Sequence, residues 1–449
     1  MEFNTDYQVE RYALETRWAD FPEDVKERAA RCAIDLFGAL ILGSRGRQFQ
    51  AGERFAALCG MTGDLAVVGS SRRYNLLGAS VVTSHASNSF DIDDGFNMIK
   101  GHPGASFIGG VLAAAQAGGH SYREFLETLV VCYELAIRWG LAMQEHYRYL
   151  HSTGAYGAFG TAVGIGRLLG LSREELNNAL SAADFHAPLT PVMRSVEIPS
   201  MNKDGVPFGS LVGTAAVLET LCGETAKTHL LEAPEYRRYV DSLGERYYIR
   251  ELYFKPYTCC RWAHQPILAC QKLMRARGFD HTQIESVTVH TFRAAAQLSK
   301  KVPLDTDEAQ YNIAYPVAAA LVHGDVGYRQ ICDEALGDGR VLDMMSRLDF
   351  VVDDEMEAQF PAKRLAWVEI VLHGGETLRS EVCAAPGEHS DPALDLQWIV
   401  NKFKRVTSPI LGEEGQDAVL SLLSCADDTP MRSVIDEVNR HLLAGQGGM

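Results

Sequence analysis

Strand-like alternation restricts this chain's architecture more than any other feature, because it is confined to one stretch. Ile284 to Phe292 (IESVTVHTF) alternates in the manner of a strand with one covered face, and Leu348 to Val352 and Ala366 to Leu372 look similar. His373-Gly374-Gly375-Glu376 is a turn signal leading into Thr377 to Val382, so the last two runs are expected to pair as a hairpin. Tyr311 to Val322 and Tyr328 to Leu336 are helical within the same region. Before about Gly278 the spacing is helical. Val25, Ala29, Cys32, Ala33, Leu36 and Leu40 recur on one helix face between Pro22 and Gly43. Ser121 with Glu124 and Ser172 with Glu175 are capping-box pairs that open two further helices. From Leu394 the helical period returns, through Ile399, Phe403 and Met431 to Leu443. The expected architecture is therefore mainly α with a smaller α/β domain: a large all-helical domain over 1–277, the α/β domain over 278–393, and 394–449 returning to the helical domain.

Composition limits what such a chain does. Of 449 residues, 47% are hydrophobic, ample for a core, and the net charge of −16 argues against a nucleic-acid surface, which draws on clustered Lys and Arg. The ten cysteines are scattered, with only Cys259 and Cys260 adjacent and no paired CxxC spacing, so a reduced cytoplasmic protein is expected. Met1 to Arg17 is polar and charged, unlike a signal peptide, and no apolar run approaches the roughly 18 residues of a spanning helix, so no membrane partner is expected.

Groups capable of chemistry collect in a few loops. A run that reads as helical from Leu76 to Phe90 ends in Asp91, Asp93 and Asp94, where Gly95 stops it; His102 and Pro103 then precede an apolar helix from Ala105 to Ala117. An acidic helix end and a histidine are thereby placed across one turn. His151 stands ahead of a glycine-rich helix, Gly157 to Gly170, whose glycines imply tight helix packing because glycine lowers helix stability. Lys203 lies in the polar loop Arg194 to Ser210, before an apolar helix from Leu211 to Cys222, and Phe254 to His264 gathers Lys255, Cys259, Cys260, Arg261 and His264. Each has a plain structural reading as well. His151 alone reads as a satisfied core residue, the aspartates as a solvated helix end or as partners of Arg72 and Arg73, Lys203 as surface, and the cysteines as small buried apolar groups.

In their order along the chain these segments resemble the MmgE/PrpD family, which includes 2-methylcitrate dehydratases, cis-aconitate decarboxylases and some epimerases of small dicarboxylates such as iminodisuccinate. The resemblance is carried by Asp91-Ile92-Asp93-Asp94 with Gly101-His102-Pro103-Gly104, by His151, by Met201-Asn202-Lys203, by Lys255-Pro256-Tyr257 with Cys260-Arg261 and His264, and by Gln310-Tyr311-Asn312-Ile313. It covers most of the chain. It implies a large helical domain with the α/β domain inserted as a lid, an active site between them, a homodimer, and no metal or organic cofactor. It also implies a reaction at a carbon next to a carboxylate, where an enolate-like anion forms. Lys203 and Lys255 would neutralise substrate carboxylates or that anion. His102 and His151 would carry protons and Asp91 would orient one of the cationic groups, while Arg261, Cys260 and His264 would contact the substrate. A 2-methylcitrate dehydratase-like hydro-lyase is the first expectation, with decarboxylation and epimerisation as alternatives. Many family members carry Thr where Gly95 stands, and the loop from Gly95 to His102 is about one residue longer than in the decarboxylases.

Two readings from other classes compete. Asp91-Ile92-Asp93-Asp94 is also a DxDD pattern of the kind a magnesium-dependent terpene cyclase uses, which would require an aromatic-lined cavity and leaves His102, Lys203 and Lys255 without a role. A catalytically inactive helical scaffold is the other.

Overall fold

The computed structural model describes residues 6–425 and 427–444, so the first five residues of the polar N-terminal stretch and the last five of the chain lie outside the described residues. Pro22 caps the helix Glu23–Gly43, which buries Val25, Ala29, Cys32, Leu36 and Leu40 as the spacing predicts. Both capping boxes form. Glu124 Oε2 accepts from the Ser121 amide at 2.8 Å at the head of Tyr122–Tyr147, and Ser172 and Glu175 repeat the exchange before Arg173–Phe185.

The middle of the helical part is made of Leu76–Ser87, Pro103–Ala117, Thr153–Leu168 and Val206–Leu221. Their approach explains the glycine-rich run. A Cβ on Gly160 would come within 2.9 Å of the Ala136 methyl, and one on Gly209 within 2.8 Å of the Gly154 Cα, so larger residues would force these helices apart.

Two hydrophobic cores result. One holds residues from Val9 to Phe254 together with Leu394, Ile399, Phe403 and residues of the C-terminal helices. The other holds Tyr257, Cys259, Trp262 and Ile267 with the strand residues Val287, Val289, Val368 and Ile370, so the helix His264–Arg277 packs with the α/β part. The sheet has Ile284–Thr291 at its centre, parallel to Leu348–Val352 and antiparallel to Leu365–Leu372, which pairs in turn with Thr377–Arg379 across the glycine turn and with Cys383–Ala384. No helix among the described residues is long and apolar enough to cross a membrane.

Several elements differ from expectation: the helix read over Tyr328 to Leu336 breaks at the extended Cys332 into Tyr328–Ile331 and a short turn Asp333–Ala335, and three further differences lie nearer the chemically equipped loops. Leu76–Ser87 ends three residues short of Phe90, because Asn88 leaves helical geometry and gives its side-chain amide to Asp93 at 2.9 Å. Gly95 is no helix stop. Gly95–Phe96 is a short strand against Leu252–Tyr253, placing the Tyr253 ring where a Gly95 side chain would go. The helix expected at Leu211 begins at Val206, where Gly205 takes a left-handed φ of 69° and Pro207 fits the first turn.

Candidate active site

The Gly95–Phe96 pairing fixes the loop of residues 88–102 against the chain that runs from Leu252 to Lys255. Asp91 turns within that loop at φ 52°, a left-handed conformation that aspartate tolerates better than most residues. Its carboxylate thereby meets Lys255, whose Nζ lies 2.9 Å from Asp91 Oδ1 and donates to the Asp91 carbonyl at 3.0 Å. Burial opposes the charge on Lys255, but Asp91 and then Asp93 overcome it and hold the ammonium more firmly protonated than usual.

His102, the residue ahead of Pro103–Ala117, is the centre of the cluster. Its Nδ1 lies 2.8 Å from Asp93 Oδ2, with Lys255 Nζ at 3.4 Å. Its Nε2 faces Asp91 Oδ1 at 3.4 Å and Asp204 Oδ2 at 3.5 Å. Burial works against charge on the ring. Asp93 outweighs it, with Lys255 opposing and Asp91 adding, and the imidazole pKa rises to about 8. Burial likewise opposes charge on Asp93, yet His102 draws its pKa down to about 2. The pair is thus imidazolium and carboxylate at neutral pH. Asp94 stands apart behind the site, accepting from Tyr133 and from the Gly104 amide, and burial lifts its pKa to about 7.

Asp91, His102, Lys255, Cys260 and Arg261 line one cavity of about 50 Å³ between the helical and α/β parts, together with Asp204, Tyr253 and Tyr311. That space holds a few waters. Tyr311 donates to Asp204 Oδ2 at 2.6 Å, beside His102. The Cys260 thiol is pushed up to about 12 by burial and the nearby Asp91 charge, which leaves it neutral. Arg261 pairs with Glu388 at 2.8 Å, donates to the carbonyls of Ala385 and Pro386, and stacks over Tyr253 at 4.3 Å.

Three other expected site residues are placed elsewhere. Lys203 is buried and lines a separate hollow of about 540 Å³ with Ser152, Arg194 and Asn202. Its ammonium meets Asp307 at 3.2 Å, Gln310 at 2.8 Å and the carbonyls of Asn88 and Ser89, tying the α/β part to the loop that carries Asp91. His151 is 2% exposed, its ring against Tyr149 at 4.0 Å. Neither of its nitrogens has a hydrogen-bond partner among the described residues, and burial lowers its pKa to about 4. His264 is buried with Nε2 on the Cys259 carbonyl at 3.0 Å, and burial keeps it neutral. Neither histidine lines the cavity.

Asp93 and Asp204 are the carboxylates that sequence reasoning left without a role, although Asp93 sits inside the Asp91–Asp94 pattern and Asp204 follows Lys203 directly. The aspartates do not serve Arg73, which pairs with Asp436 at 2.9 Å. Two groups among the described residues have ligand atoms close enough for a cation: Asp91, His102 and Asp204 in the cavity, and Glu10, His229 and Glu232 under the first helix, with atoms within 4.8 Å of one another in each. In the cavity group the Lys255 ammonium already stands on Asp91 Oδ1, supplying the positive charge there.

Comparison with known proteins finds similarity over nearly the whole chain. The MmgE/PrpD N-terminal domain matches residues 8–243 and the MmgE/PrpD C-terminal domain matches residues 257–428. A cis-aconitate decarboxylase-like protein of Aspergillus oryzae is 24% identical, over 97% of this chain and 98% of its own length. A cis-aconitate decarboxylase of Aspergillus terreus is 22% identical, over 93% of each.

Proposed function

The chain belongs to the MmgE/PrpD family, and from that membership we propose that it is an enzyme moving a proton at a carbon next to a carboxylate of a small di- or tricarboxylate. The observation that carries this reading is the buried His102 imidazolium, held at Nδ1 by Asp93 with Nε2 facing the cavity carboxylates. A histidine charged at neutral pH is a proton donor. Lys255, fixed on Asp91, supplies positive charge for a substrate carboxylate or for the enolate-like anion beside it.

Decarboxylation now stands ahead of the dehydration expected from sequence. Loss of carbon dioxide leaves the electron pair of the broken C–C bond on the substrate carbon, delocalised toward the remaining carboxylate. The proton on His102 Nε2 then forms the new C–H bond, and the neutral imidazole regains a proton from water. That sequence requires one acid and one cation, and the cavity supplies both in His102 and Lys255; both relatives named above are cis-aconitate decarboxylases or like them. A dehydratase reading is favoured by one observation, the Tyr311–Asp204 pair beside His102, which offers a second proton-handling unit to act as base. A carbocation-forming cyclase is disfavoured, because Lys100, Lys255, Arg261 and Arg364 all face the cavity.

Product analysis tests the choice. On incubation with cis-aconitate, citrate and 2-methylcitrate, decarboxylation yields carbon dioxide and a product one carbon shorter, whereas dehydration yields an unsaturated product with every carbon retained.

A further inference from the structure

Besides the His102 imidazolium, four lysine and arginine side chains line the cavity, and their partners separate them into two kinds. Lys255 is held by Asp91 and Arg261 by Glu388. Arg364 has no carboxylate in ion-pair contact among the described residues. Its guanidinium donates only to Asn97, through the side-chain oxygen and, at 3.5 Å, the carbonyl, and its Nε is buried without a partner. Lys100 makes no hydrogen bond or ion pair among the described residues, and it stands in the left-handed region at φ 49°. Glu388 Oε2 accepts from the Asn97 amide at 2.8 Å, so Lys100, Arg261 and Arg364 have a single carboxylate among them.

Such an excess of positive charge in a buried wall is costly unless an anion completes it. Arg364 is only 4% exposed. Burial, and then the nearness of Arg364, lowers the pKa of Lys100, as expected for like charges held together. The two guanidiniums lie against one ring, Arg261 at 4.3 Å and Arg364 at 6.0 Å from the Tyr253 centroid. Lys100 and Asn97 come from the helical part, whereas Arg364 immediately precedes the strand Leu365–Leu372 of the α/β part. Among the described residues, His102, Asp91 and Asp93 share no hydrogen-bond partner with this group.

We infer that Lys100 and Arg364, with Arg261 beside them, form a subsite for a second, non-reacting carboxylate of the substrate. An anion seated there bridges the two parts of the molecule and sets the selection for di- and tricarboxylates over monocarboxylates. The inference rests on the proposed reaction only for which end of the substrate reacts.

The test is calorimetric titration of the full chain with propane-1,2,3-tricarboxylate, which has no leaving hydroxyl and no double bond, and with butyrate. Wild-type protein is expected to bind the tricarboxylate saturably and butyrate far more weakly. Lys100→Gln and Arg364→Gln are each expected to weaken tricarboxylate binding about tenfold to a hundredfold, with Arg364→Lys intermediate and butyrate binding unchanged. Lys100 is in a partly exposed loop, so its replacement leaves the fold intact even if Arg364→Gln does not. Absence of saturable binding by the wild type, or binding by Lys100→Gln within twofold of it, would overturn the inference. A protein that shows the expected binding losses but exchanges no α-proton in deuterium oxide keeps the subsite and loses the proton-transfer reading.

Discussion

Asp93 Oδ2 lies 2.8 Å from His102 Nδ1, and this contact decides the charge of the histidine: burial alone would leave the ring neutral, and the Asp93 carboxylate raises its pKa to about 8. The pair needs a cavity wall that excludes water and a second carboxylate, Asp91, already occupied by Lys255. The four groups act together, which gives their replacement distinct signatures.

Activity that uses the imidazolium falls as pH rises through about 8, close to tenfold per pH unit beyond it. The folding consequence has the same sign. His102 has a folded pKa above its unfolded value, so its stabilising contribution is complete below about 6.5 and disappears as pH rises through about 8. A pH–rate profile of kcat/KM, with urea unfolding at pH 6 and pH 9, checks both.

Asp93→Asn removes the charge that holds His102 protonated. The alkaline fall in activity is then expected to move to below about 6.5, because burial and Lys255 both oppose the imidazolium. Stability at pH 6 is expected to drop by about 1–3 kcal/mol, less than for a stranded fixed charge, since the ring can lose its proton. The shift in the profile separates this outcome from simple loss of packing.

Lys203→Met leaves the Asp307 carboxylate, 3% exposed, without its cation. The expected loss is about 3–5 kcal/mol by urea unfolding at pH 7. Adding Asp307→Asn should restore part of it, as expected of a tie between the α/β part and the Asn88–Ser89 backbone.

Gly95→Thr drives a side chain into the Tyr253 ring. A stability loss of about 1–3 kcal/mol is expected, with a larger fall in activity than in stability because Tyr253 also backs Arg261. A hydroxyl at this position therefore does not improve this enzyme, which activity and thermal unfolding of the variant would show.

The fold was legible where periodicity is strong. Pro22 with its helix, the two capping boxes and the hairpin around Gly374 and Gly375 were all readable because each is decided within a few residues. The end of the helix at Ser87 was not, since the apolar pattern continues through Phe90 while the Asn88 side chain commits itself to Asp93. Within the site, Asp91, His102 and Lys255 could be named because each stands in a local motif, and the structure sets them side by side. Arg364 lies in no motif and reaches the cavity only because the strand it precedes is folded against the helical part. Lys203 was read as a cation for the substrate or its anion, whereas its side chain lines no part of the cavity. The direction of its ammonium, toward Asp307 and Gln310, depends on a contact between distant segments that spacing does not encode.

The central claim is that His102 delivers a proton to a carbon next to a carboxylate. Proton NMR in deuterium oxide tests it most directly, with wild-type protein and His102→Gln incubated with cis-aconitate, citrate and 2-methylcitrate, each with and without EDTA. The account predicts deuterium at that carbon in the product formed by the wild type, and a loss of incorporation of at least about a hundredfold in His102→Gln. Incorporation by His102→Gln at the wild-type rate would contradict it.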